Sequence, residues 1–210
     1  MAQLIDITRV VVGTEYLTAT VRIADGAPLM TSEDLEGTTR VYNLLPTIID
    51  HACAGDAGST FKDCMGDTEL AHLLEHVTVE LLARSNLTSE VVAGRTWREV
   101  AYDRTYSIQL PCVDDVLVAG ALSSAIWIMT WAFSGGVGAV PDVDATVQGL
   151  VQLVQNLPVE GDEALEEYGA APEDDFVFDG DNEYDYFDDG EDDYVSDDMD
   201  RGPSMSRKII

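Results

Sequence analysis

Two of the three histidines in the chain stand in His72-Leu73-Leu74-Glu75-His76, an H-x-x-E-H pattern. On a helix, positions i and i+4 share one face, about 6 Å apart along the axis. Two imidazoles at that spacing can grip one zinc ion. A carboxylate one position before the second histidine can then reach a water on that ion and take its proton. His72 and His76 are therefore candidate ligands, and Glu75 is the candidate general base. Catalytic zinc takes three protein ligands and keeps a position open. Glu80 extends the stripe as H-x-x-E-H-x-x-x-E, although it lies about 6 Å beyond His76 on a regular helix. Asp103, Asp114 and Asp115 are downstream alternatives. The same five residues also describe two solvent-exposed histidines on a charged helix face. His51-x-Cys53 with Cys64 lacks a C-x-x-C spacing and reads as loop packing rather than a second metal site.

A helix over residues 67–84 must carry the motif. Asp67 or Thr68 can cap it, and Leu70, Leu73, Leu74, Val77 and Leu81 form one apolar stripe opposite the histidines. Before it, residues 4–12 and 16–23 are rich in β-branched side chains and read as an antiparallel pair turning at Gly13. Thr31-Ser32-Glu33-Asp34 opens a helix with a hydroxyl cap, and Pro46 divides that region. Residues 54–60 form a glycine-containing loop. After the motif, residues 97–102 and 104–110 are β-type runs, ended by Pro111. Helices are expected over 113–133 and 142–157, the second with Val147, Leu150, Val151, Val154 and Leu157 on one face. Trp97, Trp127 and Trp131 read as core. This order of elements predicts an α+β domain over residues 1–158, an antiparallel sheet with helices packed on one face.

The uncharged run Val116–Phe133 reaches the length of a membrane span. Ser123, Ser124 and Thr130 interrupt it, and Asp114 and Asp115 rather than basic residues flank it, so it reads as a buried core helix and no membrane partner is expected. The chain has 40 acidic against 11 basic residues, a formal charge of −29. That charge excludes a phosphate-gripping nucleic-acid binder and favours arginine-rich or other basic partners. Residues 160–200 alone hold 20 acidic and no basic side chains. Such a segment cannot bury enough apolar surface to offset chain entropy, so 159–210 is expected to be an acidic, disordered tail. Three cysteines and no apolar leader at the N-terminus suit a reducing cytoplasm. A homo-oligomer is compatible with the chain, and nothing in the residues selects one.

The passage Leu45-Pro46-Thr47, His51-Ala52-Cys53, Gly58, Phe61, then Leu70-Ala71-His72-Leu73-Leu74-Glu75-His76-Val77-Thr78-Val79-Glu80-Leu81 and Gly94-Arg95-Thr96 resembles the N-terminal domain of cyanophycin synthetases. The resemblance is densest over residues 40–110. It implies a metallopeptidase domain similar to a pitrilysin half-domain, which in some members shortens an Asp-Arg polymer and in others is a catalytically silent polymer-binding or regulatory module. By matched position it implies His72, His76 and Glu80 around zinc, Glu75 on the water, and Arg95 on substrate carboxylates. Arg95 reads equally well as a simple ion-pair partner. The ATP-binding and ligase domains of a full synthetase have no counterpart in these 210 residues, and Gly135–Gly138 lacks the Lys-Ser/Thr of a phosphate loop.

Overall fold

Alternating side chains in β2 (Tyr16–Ile23) send Leu17, Ala19, Val21 and Ile23 to one face, where all four are fully buried. β4 (Thr105–Pro111) pairs antiparallel with β2 in the register Leu17↔Leu110, Ala19↔Ile108 and Val21↔Tyr106, so one apolar patch runs across both strands. β1 (Ile5–Val12) joins the other edge of β2, and β3 (Arg95–Arg98) joins β4. The sheet is fully antiparallel, in the order β1-β2-β4-β3. Among the described residues four helices complete the α+β architecture: α1 (Leu35–Leu44), α2 (Leu70–Ser85), α3 (Asp115–Phe133) and α4 (Val143–Asn156). This computed structural model describes residues 3–53, 59–87 and 93–157. The acidic tail expected over 159–210 and most of the 54–60 loop lie outside the described residues.

Carboxylates rather than hydroxyls start three of the four described helices. Asp34 accepts from the Gly37 N–H at 2.8 Å, Asp114 from Leu117 at 2.7 Å and Asp142 from Ala145 at 2.9 Å. Each such cap is worth about 1 kcal/mol. The helix expected to open at Thr31 is split: Thr31–Glu33 is a 3₁₀ turn, and Asp34 then caps α1. Pro46 begins a second 3₁₀ turn, Pro46–Asp50, as its fixed φ allows. The expected β run 97–102 is shorter and earlier, because the chain leaves β3 after Arg98 and turns back through Arg104, whose φ is +55°. The Arg104 guanidinium bonds the carbonyls of Ala24 (2.8 Å) and Ala27 (2.5 Å), which ties this turn to the end of β2.

α2 departs most from its expected amphipathic character. Thirteen of its 16 residues are buried, including Glu75, His76 and Glu80 on the polar stripe. It is enclosed by α3, α4, β3 and β4, so its polar stripe faces an interior cleft and not bulk water. No side chain caps its N-terminus: the N-cap is Glu69, and the Thr68 hydroxyl is spent on His72. α3 is long and apolar enough to cross a membrane by length and composition, yet 56% of its most apolar window is buried against the rest of the fold. Of the three tryptophans only Trp131 belongs to the core; Trp97 is 39% and Trp127 50% exposed.

Candidate metal centre

The first and second turns of α2 place His72, Glu75 and His76 side by side, with one potential ligand atom from each lying within 4.8 Å of the others. The reading of two solvent-exposed histidines does not survive this: His76 is 2% and Glu75 3% exposed. His72 Nε2 and His76 Nε2 are 3.1 Å apart. Phe61, fully buried, stacks on the His76 ring at 3.8 Å between centroids and meets His72 edge-on at 5.3 Å. One aromatic side chain thus sets the planes of both imidazoles.

The bonds on the opposite ring nitrogens decide what the two Nε2 atoms can do. His51 Nε2 lies 2.8 Å from Glu80 Oε2, and a carboxylate can only accept, so His51 donates there. In a neutral ring, His51 Nδ1 is then an acceptor. His76 Nδ1, 3.3 Å away, donates to it and leaves the His76 Nε2 lone pair free. His72 Nδ1 is bonded at 2.8 Å to Thr68 Oγ1, which can accept its proton and free the Nε2 lone pair in the same way. Two imidazole lone pairs facing each other at 3.1 Å repel unless a cation lies against both. Burial, with the neighbouring His72 and His51, holds the His76 imidazole down to about 3, so it is neutral, the form that ligates a metal.

Glu80, expected as the third ligand, is turned away from this pair. Its Oε1 accepts from Arg84 Nε at 2.7 Å and from the Thr47 hydroxyl, and its Oε2 accepts from His51. Burial alone would raise its pKa, but these three donors hold it down to about 2. The structure makes Glu80 the end of a carboxylate–His51–His76 chain, the arrangement that orients metal-bound histidines in general. Asp114 is taken up in capping α3, and Asp103 lies 3.5 Å from Arg98 in an exposed pair. The histidine and cysteines read as mere loop packing come to the site instead. Cys53 Sγ is 3.5 Å from His72 Nε2 and 3.8 Å from Cys64 Sγ, so Cys53, Cys64 and His72 form a second donor triad that shares His72 with the first. Sequence spacing could not single out these residues, since 19 positions separate Cys53 from His72 and 25 separate His51 from His76. The residues fit a metal ion in two donor sets that share His72: His72, Glu75 and His76 on one side, and Cys53, Cys64 and His72 on the other.

Glu75 completes the site. Its Oε2 accepts from the Thr96 hydroxyl at 2.6 Å. Burial raises its pKa, partly opposed by Thr96, the Gly94 backbone and His51. Gly94 must be glycine for this carboxylate to sit where it does, since a Cβ there would stand 2.7 Å from Glu75 Cγ and 2.9 Å from the Gln109 carbonyl oxygen. The donors open into a cleft of about 900 Å³ lined by Asp67 and Glu69 on one side and by Arg95, Trp97 and Arg98 from β3. Arg95 is exposed at the start of β3, with no ion pair or side-chain hydrogen bond among the described residues. The cleft therefore presents both signs of charge and an aromatic plane beside the donor cluster.

No curated protein matches the chain. The profile of the cyanophycin synthase-like N-terminal domain family matches residues 20–129, a span that runs from β2 through both donor triads and most of α3. The chain belongs to the cyanophycin synthase-like N-terminal domain family.

Proposed function

We propose that this protein is a metal-dependent peptide hydrolase whose substrate is cyanophycin or a related peptide polymer of aspartate and arginine. The observation that carries the reading is the pair of imidazole Nε2 atoms 3.1 Å apart beside a buried carboxylate whose pKa is raised, all at the wall of a cleft. His72 and His76 would hold the ion, with Cys53 rather than Glu80 as the nearest further donor to His72. A zinc ion held there would polarise a peptide carbonyl and make a water more acidic. Glu75 takes the proton from the attacking water and returns it to the leaving amine. Thr96 and the tight fit against Gly94 keep its carboxylate in place. Glu80 and His51 fix the His76 tautomer. Family membership and cleft charge support the substrate: Arg95 and Arg98 can pair with its carboxylates, and Asp67 and Glu69 with its guanidinium groups.

The test loads purified full-length protein with zinc and measures bound metal beside hydrolysis of cyanophycin. About one equivalent of zinc per chain is expected, absent from the His72→Ala, His76→Ala double variant, together with shortening of the polymer. A metal-free wild type after zinc loading refutes the centre. Bound zinc with polymer bound but uncut makes the chain a silent polymer-binding module.

Gly94→Ala checks the placement of the base. The new methyl must displace either Glu75 or the β4 backbone at Gln109. Turnover is expected to fall by up to about 10²-fold, the scale of a misplacement near 1 Å, with zinc content unchanged. Wild-type turnover in this variant would show that Glu75 need not sit against Gly94.

A further inference from the structure

The two donor triads meet at His72. On one side His76 Nε2 lies at 3.1 Å from His72 Nε2; on the other Cys53 Sγ lies at 3.5 Å, with Cys64 Sγ a further 3.8 Å from Cys53. Tetrahedral zinc, with bonds of about 2.3 Å to sulfur and about 2.0–2.1 Å to nitrogen, sets two sulfurs about 3.8 Å apart, sulfur and nitrogen about 3.5 Å apart, and two nitrogens about 3.3 Å apart. The structure's three separations follow that series, and the pairs that would complete the tetrahedron, His76 with the two thiols, lie outside either triad. We propose that Cys64 supplies a second thiolate to the metal, so that the resting centre is held by Cys53, Cys64, His72 and His76 and offers no open position. The proposal rests on the reading that His72 and His76 hold an ion.

The surroundings of Cys64 suit a ligand that can leave. It caps the C-terminal end of a 3₁₀ turn, Phe61–Asp63, and is only partly buried, unlike Cys53. No described disulfide constrains it, and its thiol's other described hydrogen bond is a long one to the Phe61 carbonyl, 3.6 Å, while its backbone carbonyl accepts from the Asp67 N–H at 2.9 Å. Drawing both triads onto one ion requires the two thiols and His76 to close up around His72. Each thiol that ligates gives its proton to solvent, so a centre with two thiolates releases two protons per ion and a centre with one releases one. A closed set of two thiolates and two imidazoles is the pattern of a structural zinc site. Hydrolysis at such a centre requires Cys64 to withdraw first.

Cobalt(II) in place of zinc reads the number of sulfurs directly, without reference to turnover. Full-length protein loaded with one cobalt should show a near-ultraviolet sulfur-to-cobalt charge-transfer band. That band should lose about half its intensity in Cys64→Ser and in Cys53→Ser and vanish in the double variant. Proton release on zinc binding, followed with a pH indicator, should fall by about one proton per ion in Cys64→Ser. Cys64→Ala, whose side chain carries no donor, repeats both measurements, and circular dichroism confirms that each variant is folded. A wild-type band that Cys64→Ser and Cys64→Ala leave unchanged overturns the proposal while leaving His72 and His76 as ligands. Failure of the wild type to bind cobalt at all removes the metal reading and this proposal together.

Discussion

Replacing Glu75 by Gln is expected to lower hydrolysis of the polymer by roughly 10²–10⁴-fold, the usual range for loss of a general base, with zinc content unchanged. The substitution keeps the side chain's size and lets Thr96 go on donating to an oxygen, so neither the packing against Gly94 nor the helix should suffer. What is lost is the capacity to accept a proton from water. Burial raises the Glu75 pKa in the metal-free protein and a bound dication draws it back down, so activity should rise as pH passes upward through an acidic limb set by the two together. Steady-state rates across pH, with metal measured on the same samples, test both halves. Equal rates for the two proteins would remove Glu75 from the chemistry, as would a wild-type profile with no acidic limb.

Glu80→Gln is expected to destabilise the metal-free protein by roughly 2–3 kcal/mol at pH 7. A carboxyl group at 4.5 unfolded and held down to about 2 folded contributes about 3 kcal/mol by linkage, and the 29% exposure of its partner Arg84 trims that figure. The sign is that of a depressed acid: the contribution is complete above pH 4.5 and disappears as pH falls toward 2, because the unfolded chain takes up the proton first. Denaturant unfolding of chelator-treated wild type and variant should therefore diverge at pH 7 and converge as pH falls to about 2. The same variant separates positioning from ligation. If Glu80 acts through His51, about one zinc is still bound, some 10–100-fold more weakly. Complete loss of binding in a folded Glu80→Gln protein would return Glu80 to the metal. A stability difference that does not change with pH would show that the ionic contacts at Glu80 contribute nothing.

Much of the framework was legible from neighbours in the chain. Alternation in Tyr16–Ile23, the short hairpins and the i,i+4 spacing of His72 and His76 are all local patterns, set by strand and helix periods. An antiparallel sheet with helices on it follows from the order of those elements. Periodicity also placed Glu75 on the same face as the histidines.

What lay beyond the sequence is whatever depends on which element lands beside α2. Its leucine stripe predicted a half-exposed helix, but burial by α3 and α4 on one side and by the sheet on the other turned its polar stripe into an interior wall. Thr68, a plausible cap by spacing, lost that role because His72 Nδ1 came within 2.8 Å. Glu80 lies one helical turn past His76 and was a natural third ligand by spacing. The 3₁₀ turn at Pro46–Asp50 instead delivers Thr47 and His51 to it, and a buried carboxylate is held by whatever donors reach it first. Cys53 and Cys64 carry no recognisable metal spacing between them, and only the path of the chain around Phe61 brings them to His72. Single-chain patterns thus determined the helix that carries the two histidines and the carboxylate. The partners of those three side chains were decided by tertiary packing, because ligand sets and proton networks form between residues that meet in space from distant parts of the chain.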